Sequence, residues 1–248
     1  MGSAVTVGEM YASLARRMPY HAGALSEPDA VEVPATMLAD PAALPAQLDA
    51  CARLYGSAKP QVLGTVWWYS ASSVLVAPAV EGLAATGVAF DPALAAIRLV
   101  QRADGRLIGA RSSAVLAEDP DGERLGERLG GALASAIEAI AAGSGAAPAA
   151  LWAIATDSIA NRLLWAGNAL GDVPRVTALA SWVTEAIERY SGHRLPEPRY
   201  VEVAGQTFIR RASCCLIYQA TAGDKCVSCP RQRPQDRQHR LVAAARRF

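Results

Sequence analysis

Four of the five cysteines in this 248-residue chain fall within sixteen residues, in the stretch CCLIYQATAGDKCVSC from Cys214 to Cys229. The spacing is C-C-x10-C-x2-C, and Pro230 follows the last thiol directly. No other feature restricts the backbone so tightly. A chain of this length, with 52% hydrophobic residues, buries a sizeable core without covalent staples. The thiols are therefore not needed to rescue a small fold. Only Cys51 lies elsewhere, which is unlike the spread framework of a secreted scaffold and fits a reduced, intracellular setting. A vicinal Cys214–Cys215 disulfide would leave Cys226 and Cys229 unexplained. A thioredoxin-type role for C-V-S-C needs a βαβ setting that nothing here supplies. A metal centre accounts for all four.

Structural zinc usually takes two C-x2-4-C knuckles. Cys226 and Cys229 make one such half, whereas Cys214 and Cys215 do not. Adjacent side chains on a strand point to opposite faces, so a vicinal pair closes poorly on one tetrahedral ion. Two irons offer a wider span, which a local turn at the pair would help to meet, and a proline after the last cysteine is common in iron–sulfur ligand runs. The spacing favours a [2Fe–2S] cluster and leaves zinc open as the alternative.

Charge points the same way. From Gln206 onward there are nine Lys/Arg against Asp224 and Asp236, so the tail carries +7 and the rest of the chain −6. A basic segment on an acidic body asks for an anionic partner or an anionic centre. Arg210, Arg211, Lys225, Arg231 and Arg233 could offset a cluster's negative charge, or bind an acidic redox partner or an anionic substrate. The segment is short, its aromatics are Phe208, Tyr218 and the terminal Phe248, and it matches no nucleic-acid motif, so no nucleic-acid partner is expected.

The patterning predicts an α+β chain, mainly helical with a small antiparallel sheet. Its expected organisation is a helical, substrate-docking body over residues 1–205 and a C-terminal cluster-binding segment over 206–248. A short helix over Thr6 to Met18 precedes a proline-punctuated loop through Pro41. Asp40 and Pro41 then open a helix to Tyr55. Val62 to Val80 carries no charge over 19 residues. Gly64, Ser70, Ser72, Ser73 and Pro78 dilute it, so it reads as a buried helix ending near Pro78, with a second short helix to Gly87, and not as a membrane span. No secretory signal precedes it. Asp104-Gly105 marks a β-hairpin. Three helices follow, the last two over Pro148 to Leu170 and Pro174 to Tyr190, then strands at Tyr200 to Val203 and Thr207 to Cys215.

Asn161, Trp165 and Asn168 share a helix face and could line a cleft or serve the core. Trp67, Trp68 and Tyr69 occupy successive sides of a helix and read as core. Arg210 and Arg211 precede the thiols on the expected strand, one facing each way, so one of them should lie beside the centre. Tyr218 could shield it from water. Four cysteines suffice without His193 or His239, and Cys51 reads as a small buried apolar residue.

The cysteine spacing, the preceding FIRRAS and the following proline resemble the FhuF-type siderophore-iron reductases. SSVLVAPAVEGLAATGVAFDPAL and LWAIATDSIANRL resemble the family's apolar helix and tryptophan-led helix, so the likeness runs from about Val62 to Arg240. The resemblance implies a [2Fe–2S] cluster held by Cys214, Cys215, Cys226 and Cys229. It further implies a cytoplasmic oxidoreductase that passes one electron to a ferric siderophore, of hydroxamate type, and releases Fe(II). The arginine- and alanine-rich composition suggests a bacterial source, and a monomer is expected. Arg210, Arg211, Lys225, Arg231, Trp165 and Asn161 are then the candidates for substrate or partner docking. No nicotinamide or flavin motif is present, so a ferredoxin or ferredoxin reductase is the expected donor. The alternatives are a cluster-bearing electron carrier or iron sensor, and a binding module braced by zinc on the four thiolates.

Overall fold

The computed structural model describes residues 6–21, 27–116 and 119–247. Phe248 and part of the proline-punctuated loop lie outside them. Helix α1 (Val7–Arg17) begins at a capping box: the Thr6 hydroxyl accepts from Glu9 N at 3.3 Å while the Glu9 carboxylate accepts from Thr6 N at 2.8 Å. The segment expected to stay a loop through Pro41 instead holds strand β1 (Val31–Pro34) and a 3-10 turn over Ala35–Ala39. β1 pairs antiparallel with β3 (Ile97–Gln101), which in turn pairs with β4 (Leu107–Ser112) in a three-stranded sheet. Gly105, at φ +91°, turns the chain between β3 and β4. Two small ribbons complete the strand content of the described residues: β2 (Ala89–Phe90) with β5 (Val115–Leu116), and β6 (Tyr200–Val203) with β7 (Gln206–Ile209).

Helix α2 (Leu44–Tyr55) starts later than Pro41, because the Asp40 carboxylate accepts from Ala42 N at 2.9 Å in a turn of its own. The larger departure is α3, one continuous helix over Pro60–Thr86 that runs through Pro78. Proline in a helix interior costs about 3 kcal/mol. Leu75, Val76, Ala79 and Val80 around it are fully buried. Each large aliphatic among them contributes roughly 1.5–3 kcal/mol, so burial outweighs the break. α3 is long and apolar enough to cross a membrane, yet 78% of its most apolar window is buried inside the fold. It is the central core helix.

Helices α4 (Glu123–Ser144), α5 (Pro148–Leu170) and α6 (Val173–Ser191) pack beside it, with α5 laid along α3 and α6 across α4 and α5. Trp68 Nε1 donates to Leu151 O at 2.8 Å and the Ser72 and Ser158 hydroxyls meet at 2.8 Å, fixing the α3–α5 register. Glu81 on α3 is fully buried. It is held by the Tyr20 hydroxyl at 3.2 Å, Arg162 Nη1 at 3.3 Å and the His21 ring.

Among its described residues the C-terminal segment has two short helices beyond β7, α7 (Ile217–Ala220) and α8 (Pro234–Ala245). Residues 205 and 206 sit at the turn of the β6–β7 hairpin, so this ribbon ties the segment to the body. β7 stops at Ile209 and does not run on to Cys215, because a carboxylate of α5 captures the amides that would extend it.

Candidate metal centre and adjoining cleft

Asp157, midway along α5, reaches under the chain that follows β7. Its carboxylate accepts from Ala212 N at 2.8 Å, from Ser213 N at 3.1 Å and from Arg211 Nε at 3.3 Å. Those two amides are thereby taken out of any strand ladder, and the chain turns. Leu216 completes the turn in the left-handed region, at φ +61°. The vicinal pair Cys214–Cys215 therefore lies in a loop, where adjacent side chains are free to converge. The second pair forms a knuckle, with Cys229 N donating to Cys226 O at 3.0 Å. Gly56, the C-terminal cap of α2 at φ +106°, lets this segment dock: a Cβ there would stand 2.4 Å from Ala220 O of α7.

The four sulfurs form a chain of contacts. Cys214 Sγ lies 3.5 Å from Cys229 Sγ, and Cys215 meets both Cys214 and Cys226. The Leu216 and Ile217 amides donate to the Cys214 and Cys215 sulfurs respectively. Hydrogen bonds from Cys214 and Cys226, reinforced by Arg211, pull the Cys215 thiol far below its ordinary pKa. Their hydrogen bonds to Cys215, together with burial, push the Cys214 and Cys226 thiols up. Cys214, Cys215 and Cys229 are buried and Cys226 is exposed. Among the described residues, no group of three Cys, His, Asp or Glu side chains is gathered to hold a single metal ion.

Arg211 is the decisive neighbour. Its side chain is buried, and Nη1 lies 3.6 Å from both Cys215 Sγ and Cys226 Sγ. The guanidinium covers the Tyr69 ring at 4.7 Å. Burial opposes its charge, but Cys215, Tyr69 and Asp157 more than offset that and hold its pKa above the ordinary value. Nη2 is buried with no partner. The charge is balanced, but this buried Nη2 donor still lacks an acceptor among the described residues, and it stands beside the sulfurs. A thiolate-ligated [2Fe–2S] cluster supplies that acceptor, with amide hydrogen bonds to sulfur already in place. The residues fit the group.

Against this wall opens a cleft of about 240 Å³ between α3 and α5, lined in part by Tyr69, Ser73, Asn161, Arg162, Trp165 and Arg211, with Ser228 of the cysteine knuckle at its edge. Asn161 and Trp165 both face it, and Trp165, 44% exposed, forms its rim. Arg162 is poised over the Trp165 ring at 4.9 Å, with its Nε donating to Ser73 O at 2.8 Å. Asn168 is exposed and is not among the lining residues.

Arg210 is exposed and borders a second cleft, which Arg211, Pro230 and Arg237 also line. Lys225 donates to Arg231 O at 3.0 Å and covers Tyr218, so both cations and the tyrosine belong to a basic groove next to Cys226. Trp67 and Trp68 are core, whereas Tyr69 is not wholly so. His193 stacks on Trp152 at 4.7 Å, and Cys51 is buried, its thiol pushed up to about 11 by desolvation. Asp157 and Arg162 were missed in the sequence. The available signal was a lone acid inside the apolar run PAALWAIATDSIA, since buried carboxylates are rarely unpaired.

Residues 211–231 match the family model described as the FhuF 2Fe-2S C-terminal domain, which bears out the resemblance read from the cysteine spacing. The matched segment contains all four clustered cysteines, and its cofactor is a [2Fe–2S] cluster. No curated protein matches the chain.

Proposed function

We propose that the protein, working in the bacterial cytoplasm, reduces iron held in a ferric siderophore by one electron and so releases it as Fe(II). The observation carrying this reading is that one residue, Arg211, belongs both to the sulfur quartet and to the wall of the α3–α5 cleft. A docked chelate is thereby brought next to the electron store. Hydroxamate oxygens hold Fe(III) as a hard cation, and Fe(II), with lower charge density, is gripped less well. When bound by Cys214, Cys215, Cys226 and Cys229, a [2Fe–2S] cluster supplies a single low-potential electron.

The chain's own residues bind and orient. Arg162 and Arg211 present positive charge to the oxygens of the chelate, and Asn161 and Ser73 offer neutral hydrogen-bonding groups. A hydroxamate siderophore exceeds the cleft volume, so it docks across the mouth, with the exposed Trp165 against its apolar arms. The balance is one electron in and one out: Fe(III) becomes Fe(II), with no bond to the protein made or broken. No general base or nucleophile is required. The electron comes from a ferredoxin or ferredoxin reductase.

The test is anaerobic titration of dithionite-reduced, desalted protein with a ferric trihydroxamate in the presence of an Fe(II)-specific chromophoric chelator. Stoichiometric reoxidation with matching Fe(II) capture supports the reading. Protein that stays reduced in excess chelate identifies it as a carrier or sensor instead.

A further inference from the structure

The cysteine knuckle has a second exposed side that the cleft does not use. Cys226 is exposed there, and the next residue, Val227, is one of four exposed large hydrophobics among the described residues. Beside this tip, joined to it by Gln232 Nε2 donating to Cys226 O at 2.5 Å and Val227 O at 3.1 Å, lie Lys225, Arg231, Arg233 and Arg240, with His239 near and Asp224 and Asp236 against them. They line a groove of about 760 Å³. It shares no lining residue with the α3–α5 cleft. The basic side chains are held in place: Arg240 Nη1 donates to Lys225 O at 2.7 Å, Lys225 Nζ to Arg231 O at 3.0 Å, and Arg231 Nη1 to the Tyr218 hydroxyl at 3.5 Å. Arrangement of this kind orders a cationic ring about the groove, next to a ligand cysteine. The remainder of the chain, up to residue 205, carries net negative charge.

We infer that this ring is the docking face for a small, acidic, one-electron carrier protein, separate from the substrate cleft. Transient electron-transfer complexes bury little area and depend on charge steering with a small apolar centre. The basic ring supplies the steering, and the exposed Val227 beside it supplies the apolar contact. An acidic carrier is drawn to this face and repelled by the acidic body, so it arrives at the edge where Cys226 is exposed. One electron leaves the carrier's reduced centre and is taken up by the thiolate-held site, which gains one negative charge. Arg211 and the ring offset that charge. The inference rests on the redox reading above and adds where, and from what class of partner, the electron enters.

Binding is measured directly, by calorimetry of the cluster-loaded full-length protein with an acidic plant-type [2Fe–2S] ferredoxin at low and moderate salt. A basic cytochrome c serves as the charge control. The double variant Arg231→Glu/Arg233→Glu should weaken ferredoxin binding at least roughly ten-fold, as charge reversal at a steered interface does. Its visible spectrum and dithionite reducibility should match wild type. The charge-matched variant Arg53→Glu/Arg194→Glu, on the body, should bind as wild type, and wild-type affinity should fall with salt. Equal weakening by both double variants, salt-independent binding, or equally tight binding of cytochrome c overturns the inference. If ferredoxin ignores the ring while chemically reduced protein still reduces the ferric chelate, the docking face is wrong and the function stands. If ferredoxin docks as described but no chelate is reduced, the face stands and the function falls.

Discussion

The helical body and the cysteine segment are built on different physics. α3 is enclosed by α1, α2, α4, α5 and two of the small strand pairings, and its side chains form the centre of one apolar core. The segment after Ile209 has two short helices, few buried apolar side chains, and a buried cation balanced by a carboxylate and a thiolate. Apolar burial is non-directional and tolerates a proline in mid-helix. The cysteine segment depends instead on a few directional contacts, three of them from Asp157. The body should therefore hold its fold without the cluster, whereas the segment should need the cluster to hold its own.

The largest expected effect separates the two outright. Cys229→Ser should abolish the cluster, read as loss of visible absorbance and of bound iron and sulfide. The body's cooperative unfolding should survive, with far-UV circular dichroism little changed. A body that unfolds with the cluster would erase the distinction. The mirror experiment strikes the body. A Cβ at Gly126 would stand 2.2 Å from Ala186 O where α4 meets α6. Gly126→Val should thus destabilise by roughly 1–3 kcal/mol, seen as a lower Tm, and leave the cluster spectrum as in wild type.

These two regions also differ in how far the sequence reveals them. α5 begins at Pro148 and ends before Gly171, and both signals are local, so its bounds are legible. β6 is equally plain. β1 is not, because its partner lies some seventy residues on, with Val31 opposite Gln101. The break expected at Pro78 fails because a helix buried on nearly every side shows no polar face to mark where it continues. At the site, the four thiols and the interest of Arg211 come from spacing and charge alone. The end of β7 at Ile209 and the turn at Leu216 do not, since they follow from Asp157, 54 residues before Arg211. Arg162 likewise gains its meaning from Glu81 and Ser73 across the α3–α5 contact.

Smaller effects are expected where the two regions meet. Arg211→Gln removes the buried positive charge against Cys215 and Cys226, which favours the less negative, oxidised centre. The potential should fall by on the order of 60 mV, a tenfold change for a one-electron couple, as measured by anaerobic redox titration. An unchanged potential would mean the guanidinium is only a packing element. The smallest effect belongs to the cleft rim. Trp165→Ala should raise KM for a ferric hydroxamate by roughly three- to tenfold and leave kcat and the cluster spectrum unaltered, since it removes contact area and no charge. A drop in kcat alone would place Trp165 nearer the electron's route than a docking surface.

Everything rests on what the sulfur quartet holds. Iron, zinc and acid-labile sulfide should be quantified on anaerobically purified wild-type protein, together with an electron paramagnetic resonance spectrum before and after dithionite. Paired irons with matching sulfide, silent when oxidised and showing a one-electron signal when reduced, are the expected result. Stoichiometric zinc without sulfide would contradict it.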